Sequence, residues 1–161
     1  MPKSIVAASS VATSGATRGS TASATAGTTA QRVAQRAEVN AGSPIAQAIR
    51  FGRMLFVSGV GGVDGGTDTV VAGGLEAQCV LALANLDAIL AAAGANHAHV
   101  VNLRIVLRDI ADAPRLDALL SRWLGEEKVA ALCIGGVPNR TGIDLQIDCI
   151  AMFDEQRAGQ S

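Results

Sequence analysis

Short strands with apolar residues on both faces are the feature that most constrains how this chain can fold. The run 54–57 is apolar at every position, and the last predicted strand places Ile150 and Met152 on the face opposite Ile147 and Cys149. A sheet with one face in water should instead alternate apolar and polar residues along each strand. The pattern therefore predicts a sheet that is covered on both faces.

Two helical patterns lie among the strands and can cover only one of these faces. Residues 75–93 repeat leucines at helical spacing before Gly94, and Asp112 can cap a second helix that runs through Leu124. Strands are predicted at 47–51, 54–58, 69–72, 99–107, 129–134 and 143–153. The order ββ(β)αβαββ predicts an α+β fold, a mixed sheet with two helices on one face. The second face would then be buried against another subunit, so we expect an oligomer.

The composition argues against two classes of partner. There are 13 Lys and Arg against 14 Asp and Glu, and aromatic residues make up 2% of the chain. A nucleic-acid surface needs clustered basic residues and stacking aromatics, and no apolar run approaches the roughly 20 residues of a membrane helix. We therefore expect no nucleic acid and no membrane. The aromatics Phe51, Phe56, Trp123 and Phe153 lie in apolar patterns and are predicted to be in the core.

The cysteines and histidines do not suggest a metal site. Cys79, Cys133 and Cys149 are far apart, and the first and last lie on apolar faces that predict burial. A chain without a disulfide framework suits a reducing compartment, so we expect a cytoplasmic protein. His97 and His99 have no Cys or carboxylate beside them, which favours a surface loop over a metal site. We expect neither a metal nor a cofactor.

The first 41 residues differ in composition from the rest of the chain. They are mostly Ala, Ser, Thr and Gly, and large apolar residues are scarce. Such a segment buries too little apolar surface to offset its ordering entropy. We predict a disordered extension at 1–41, one domain at 42–154 and a disordered tail at 155–161; the composition allows a short helix near 31–38. An organelle transit peptide, also basic and Ser-rich, and a misassigned start site are the alternatives.

Three local motifs are candidates for chemistry. The glycine-rich segment 59–66 lacks the residues and spacing of nucleotide-binding loops, which favours a tight loop. Ser58 ends a strand just before these glycines, without a Gly-x-Ser-x-Gly elbow. Cys133, Asn139 and Arg140 flank a turn that contains Gly and Pro. Asn139-Arg140 is interpreted as a solvated turn or, alternatively, as a cleft-facing arginine that holds a carboxylate.

Five motifs span most of the predicted domain. They are Ser-Pro-Ile-Ala-Gln-Ala at 43–48, Leu-Phe-Val-Ser-Gly at 55–59, Glu-Ala-Gln at 76–78, Val-Val-Asn-Leu-Arg-Ile-Val-Leu-Arg-Asp at 100–109 and Asp-Leu-Gln-Ile-Asp-Cys-Ile-Ala at 144–151. Together they resemble the reactive-intermediate deaminase family, RidA/YjgF. The resemblance implies a homotrimer with a chorismate-mutase-like fold and ligand clefts between subunits. It also implies hydrolysis of the enamine and imine products of amino-acid dehydratases.

The same resemblance implies site residues, and this chain departs from several of them. The family's serine falls at Ser58, its tyrosine at Ile45, its glutamate at Gln146 and its carboxylate-binding arginine at Val129. Valine cannot hold a carboxylate, and glutamine keeps hydrogen bonding but loses the charge. The catalytic candidates are therefore Ser58 and Gln146, and the substrate-binding candidates are Ile45, Val129, Cys133 and Arg140.

These observations lead to competing hypotheses of function. The first is a RidA-like trimer that acts as a divergent, metal-free hydrolase or deaminase on an imine, an enamine or a related small amide. The second is a non-catalytic trimer that binds a small ligand or acts as a regulatory protein. The third is a structural partner in a pathway assembly. A polar, water-accessible cleft would favour the enzyme, whereas a cleft closed by Ile45 and Val129 would favour the binding protein.

Overall fold

The computed structural model describes residues 30–33 and 44–153. In chain order these residues form β1 Gln31–Val33, β2 Ala48–Phe51, β3 Met54–Gly61, β4 Val63–Asp64, β5 Thr69–Val70, α1 Gly74–Ala92, β6 Val100–Leu107, α2 Ala113–Leu124, β7 Ala130–Gly135 and β8 Leu145–Met152. Single 3-10 turns at His97–His99 and Ile110–Asp112 precede β6 and α2.

Six strands form one mixed sheet in the order β1-β2-β3-β8-β6-β7, and β4 pairs with β5 in a separate hairpin. Neighbours in the large sheet are antiparallel except β6 and β7, which are parallel. A parallel pair needs a long crossover between its strands, and α2 supplies it. The predicted α+β architecture, a mixed sheet with two helices on one face, is confirmed.

The core lies between the helices and one face of the sheet. Alternate residues of β8, Leu145, Ile147, Cys149 and Ala151, are almost fully buried against α1 and its neighbours. Burying a leucine or isoleucine side chain stabilises the fold by about 1.5–3 kcal/mol. The predicted burial of Cys79 and Cys149 is confirmed, and burial raises the pKa of the Cys79 thiol to about 11.

The other face of the sheet, here called the open face, is apolar yet uncovered in a single chain. Six of its side chains are between 39% and 55% exposed: Ile49, Phe51, Phe56, Leu132, Ile134 and Met152. Strands with apolar residues on both faces are thus confirmed. The prediction that Phe51 and Phe56 lie in the core is wrong, because both point to the open face. Large apolar patches on folded domains commonly mark interaction sites, so the open face is a candidate contact surface.

The helix ends follow the predicted pattern in one case and not in the other. Gly94, at φ 79°, lies just past the end of α1, as expected. Asp112 precedes α2, but its side chain caps no backbone N–H and instead accepts a hydrogen bond from Arg115. The capping aspartate is Asp109, whose Oδ1 accepts from the Ala111 N–H at 2.9 Å and begins the 3-10 turn before α2.

Strand β1 corrects the expectation of a short helix near 31–38. Gln31–Val33 pairs antiparallel with β2, with Gln31 opposite Arg50. The edge of β2 offers unpaired backbone groups that a short extended segment can satisfy. The remainder of the predicted extension and the tail at 155–161 lie outside the described residues, apart from Ala30.

Helix α1 corrects the statement that no apolar run approaches membrane-spanning length. By length and composition alone its 19 residues could cross a membrane. In the fold, eight of them are buried, and Leu75, Leu83 and Leu90 belong to the hydrophobic core. Its apolar character is therefore explained by packing on the sheet.

Gln78 joins α1 to the start of β8. It is 4% exposed, and it is the one buried polar residue among residues 30–31 and 44–153. Its Nε2 donates to the Gly142 carbonyl at 3.2 Å and to Asp144 Oδ2 at 3.1 Å, and its Oε1 accepts from the Asp144 N–H at 2.7 Å. Gln78 thus fixes the chain where it enters β8.

Replacing Gln78 with leucine is expected to destabilise the protein by at least about 2 kcal/mol, because each buried group left unsatisfied costs about 1–3 kcal/mol. Urea unfolding at one fixed protein concentration measures the loss. The matched control is Glu76→Gln on the same helix, which removes only an exposed ion pair with Arg115 and should cost far less stability, because exposed ion pairs contribute little. Equal losses in the two variants would contradict this role of Gln78.

Candidate functional site

A cavity of about 570 Å³, here called the hairpin cavity, lies beside the β4–β5 hairpin. The approach to β2, the end of β3, α1 and the turn before β8 complete its walls. Its polar lining side chains are Gln47, Ser58, Asp64, Asp68, Asn85, Asn139 and Arg140. The volume is in the range of small-molecule sites. The cavity brings together three of the predicted site residues, Ile45, Ser58 and Arg140.

Ser58 lies in a bulge of β3. Val57 is opposite Cys149 and Val60 is opposite Ile147, so β3 carries one extra residue there. Bulges re-aim side chains and are common beside active sites. The Ser58 hydroxyl donates to the Ala46 carbonyl at 2.6 Å. Because a hydroxyl has one proton, Ser58 is arranged to accept a hydrogen bond from a ligand rather than to donate one.

Asn85 on α1 holds the glycine-rich segment in place. Its Nδ2 donates to the Val63 carbonyl at 2.9 Å and to the Gly61 carbonyl at 3.2 Å. A Cβ on Gly62 would lie 2.5 Å from Gln78 Cα, so only glycine allows this close approach to α1. The segment 59–66 is not all loop as predicted, because β3 extends through Gly61 and β4 follows at Val63.

The tip of the hairpin is organised by one aspartate. Asp64 Oδ1 accepts hydrogen bonds from the Gly66 N–H at 2.8 Å, the Thr67 N–H at 2.9 Å and the Thr67 hydroxyl at 3.0 Å. Asp68 follows with φ 56°, in the left-handed region that aspartate tolerates better than most residues. The tip therefore presents the Asp68 carboxylate to the cavity wall.

Arg140 contacts Asp68 directly at the cavity wall. Its Nη1 donates to Asp68 Oδ1 at 2.9 Å, and its Nη2 donates to the Asp68 backbone carbonyl. The hydrogen bond to Asp68 raises the pKa of the Arg140 guanidinium above its ordinary value. Of the two interpretations of Asn139-Arg140, the cleft-facing arginine is the one that this placement favours.

Gln146 stands behind the cavity wall and does not line it. Its Oε1 accepts from the Asn139 N–H at 3.1 Å. Its amide lies against Gly59, where an added Cβ would come within 1.8 Å of Nε2. Gln146 therefore positions the turn that carries Arg140, and whether it also contributes to a reaction stays a prediction.

Val129 and Cys133 lie away from the hairpin cavity. Both are half-buried and pack against the hydrophobic core on the helix side of β7 and its approach. Burial, with a smaller contribution from Asp117, raises the pKa of the Cys133 thiol. Its thiolate is thus disfavoured at neutral pH, which argues against a nucleophilic role. Substrate binding by Val129 or Cys133 stays a prediction.

Four polar residues that line the cavity were not among the predicted site residues: Gln47, Asp64, Asp68 and Asn85. The signal for Asn85 was present, since it is a polar residue on an apolar helix seven positions after Gln78. The signal for Asp68 was weak, because Gly-Gly-Thr-Asp is an ordinary turn composition.

The described part of the chain holds no group of three His, Cys, Asp or Glu side chains suited to a metal ion. His99 Nδ1 instead interacts with the Asn96 side chain at 2.8 Å in the 3-10 turn. The expected absence of a metal stays a prediction.

Comparisons with known proteins agree with this architecture. Residues 35–153 match the family model described as Endoribonuclease L-PSP. A RutC family protein of Pyrococcus horikoshii is 30% identical over 108 residues, 67% of this chain and 86% of that protein. The human protein named 2-iminobutanoate/2-iminopropanoate deaminase is 28% identical over 64% of this chain and 77% of its own length. The crystal structure of RidA from the Antarctic bacterium Psychrobacter sp. PAMC 21119 is 26% identical, with a TM-score of 0.66, and the match covers 70% and 91% of the two chains.

Fold and cavity together define a small α+β protein with a ligand-sized site built around a strand bulge. The family model matches most of the chain. The chain belongs to the RidA/YjgF family, as the sequence motifs predicted.

Proposed function

We propose that this protein is a divergent hydrolase or deaminase that acts on an imine, an enamine or a related small amide in the hairpin cavity. The observation that carries the proposal is the polar lining of that cavity, in which Ser58 and Arg140 face a common space. The human relative named a deaminase supports the same class of reaction. Ile45 is 64% exposed at the cavity and Val129 does not line it, so neither closes it, which favours the enzyme over the alternative.

The chemistry offered by the cavity is binding and orientation. Arg140 can hold a negatively charged group through charge-assisted hydrogen bonds. The Ser58 hydroxyl can accept a hydrogen bond from a ligand N–H, since its own proton is donated to Ala46. In the hydrolysis of an imine, or of an enamine after its tautomerisation to the imine, water adds to the carbon of the C=N bond. The resulting carbinolamine then loses ammonia and leaves a carbonyl group. An open polar cavity admits that water, while Gln146 cannot serve as a general acid or base.

We further propose that the protein assembles as a homotrimer through its open face. Obligate interfaces resemble a domain core cut in half, and the open face has that apolar character. Arg104 and Asp148 form the charged pair within it, with Nε 2.8 Å from Oδ1. The resemblance to the family implies a cleft between subunits that includes both its arginine position, Val129, and its serine position, Ser58, although Val129 does not line the hairpin cavity of one chain.

A non-catalytic binding protein is the second candidate. Two observations favour it, the commitment of the Ser58 proton to Ala46 and the loss of a carboxylate at Gln146.

The family description names an endoribonuclease, but a nucleic-acid function is not proposed. Among the described residues that line the cavity there is one basic side chain against two aspartates, the opposite of what a phosphate backbone needs. Freedom from metals and a cytoplasmic location, with organelle import as the alternative, remain part of the proposal.

The test is a panel of imines, enamines and small amides, scored for turnover by ammonia release and for binding by thermal shift. The enzyme proposal expects turnover of at least one compound above the uncatalysed rate, and loss of that turnover in Ser58→Ala. The binding protein expects thermal shifts without ammonia release. If no compound of the panel gives either a thermal shift or turnover, both assignments are overturned.

A further inference from the structure

We propose that Arg140 is the anion-binding residue of the hairpin cavity and that the Asp68 carboxylate occupies it until a small monocarboxylate ligand displaces it. The inference rests on the proposed function in one respect, that the hairpin cavity is the ligand site. It adds the ligand's charge class and an internal competitor for it.

The first support is the form of the contact. Arg140 donates from Nη1 to the Asp68 carboxylate at 2.9 Å and from Nη2 to the Asp68 backbone carbonyl. Planar two-point contact with oxygens is how guanidinium groups bind carboxylates. Arg140 is also the one basic side chain among the described residues that line the cavity. Asp68 therefore occupies the place that a ligand carboxylate would take.

The second support is the weakness of this pair. The side chains of Arg140 and Asp68 are 39% and 66% exposed, and pairs so open to water contribute little to stability. A ligand that reaches Arg140 inside the cavity replaces an easily hydrated partner. Once released, the Asp68 carboxylate can be solvated by water at small cost.

The third support is that the two partners are held to different degrees. Asp68 lies at the tip of a hairpin with only two residue pairs, Val63 with Val70 and Asp64 with Thr69, in a sheet separate from the large one. It is also the one non-glycine residue of 30–33 and 44–153 with positive φ. Displacing Asp68 from Arg140 therefore breaks no backbone pairing of the large sheet.

Arg140, by contrast, is tied to the large sheet. The N–H of its neighbour Asn139 donates to Gln146 Oε1 on β8 at 3.1 Å, and Pro138 just before is buried. Arg140 therefore keeps its position when Asp68 is displaced. Gln146 holds the turn in place through this hydrogen bond, a role that an uncharged side chain can fill.

Charge selects a monoanion. Asp64 and Asp68 both line the cavity, so a phosphate dianion would face two carboxylates and a single guanidinium. A monocarboxylate exchanges one negative charge for another at Arg140. Small 2-oxo acids, the class released when carboxylated imines are hydrolysed, have this charge.

The experiment is calorimetric titration of the full-length protein with sodium pyruvate, and with pyruvamide as the neutral match. Asp68→Asn keeps the side-chain shape and tolerates positive φ. It should tighten pyruvate binding by about two- to five-fold, because an exposed competitor pair is removed. Arg140→Met should weaken pyruvate binding by at least about tenfold. The pyruvate affinity of Arg140→Lys should lie between that of Arg140→Met and that of the unmodified protein. Pyruvamide affinity should not respond to any of the three.

The control for surface charge is Asp117→Asn on α2, remote from the cavity, which should leave both titrations unchanged. Circular dichroism checks that each variant folds. The inference is overturned if Asp68→Asn weakens pyruvate binding or leaves it unchanged, if Arg140→Met retains it, or if pyruvate binds no variant. Its failure is separable from that of the proposed function: turnover that survives Arg140→Met overturns the inference alone. Charge-selective binding without turnover of any imine or amide overturns the enzyme alone.

Discussion

Phe56→Asp is expected to convert an assembled protein into single chains. Phe56 lies on the central strand β3 of the open face, opposite Ile49 on β2 and Ile150 on β8. If this face is the subunit interface, an aspartate there places an unpaired charge in an apolar contact, which costs several kcal/mol for each subunit. Light scattering after size exclusion should report the mass of three chains for the unmodified protein and of one chain for the variant.

Val80→Asp is the matched control. Val80 is an exposed apolar residue, 60% accessible, but it lies on α1 on the helix side of the sheet. The same charge there should leave the mass unchanged, and both variants should keep their circular dichroism. A stable unmodified monomer across a dilution series, or a Phe56→Asp protein that remains trimeric, would show that the open face does not hold the subunits together.

With the exception of β1, the elements of the large sheet and both helices were predictable from sequence because burial imposes a period. In β8 the buried Ile147 and Cys149 alternate with half-buried Asp148 and Ile150. The same reasoning located the β2–β3 hairpin, whose turn is at Gly52 with φ 60°. Apolar residues on both sides of a strand correctly indicated two apolar faces, one covered by the helices and one open in a single chain. They could not indicate which face the chain itself covers, and this is why Phe51 and Phe56 were misassigned to the core.

The candidate site was predictable only in part. Ser58, Ile45 and Arg140 were selected from motifs, and the fold brings them to one cavity. The partner of Arg140 was not predicted. Asp68 lies 72 residues away in sequence, and no periodic pattern predicts a contact between two turns. Strand β1 was missed for a related reason, since Gln31–Val33 is extended through pairing with β2 rather than through its own propensity.

Conversion of this site to the family's usual chemistry is the second large effect expected. The unmodified protein should hydrolyse 2-aminoacrylate, generated in place by a dehydratase, at close to the uncatalysed rate. Val129 offers no hydrogen bond to a carboxylate, and Gln146 has no charge. The combined variant Val129→Arg with Gln146→Glu should raise the rate by at least about tenfold, because each charge-assisted hydrogen bond is worth about 1.5–3 kcal/mol. Ile45→Tyr, at an exposed position of the cavity wall, is added as a third change.

The structure indicates what each change must achieve. Glutamate at 146 can keep the bond from the Asn139 N–H, because a carboxylate oxygen replaces Oε1 in the same place. Arginine at 129 must leave the core surface against which Val129 packs, so some loss of stability is expected and is measured beside the rate. Val129→Lys with Gln146→Glu is the matched control, since it restores the charge without the two-point fork and should gain less.

Substantial activity in the unmodified protein would contradict this account and would direct attention to Arg140. Arg140→Met should then abolish that activity, and Asp68→Asn should increase it at low substrate concentration by removing the internal competitor. If instead only the substituted protein is active, the scaffold and its cavity are intact, and this chain differs from the deaminases by the placement of its cation. Arg140, in the turn before β8, would hold the carboxylate at another point than an arginine at position 129, just before β7. The reacting carbon would then lie elsewhere, which is the physical reason to expect a different substrate.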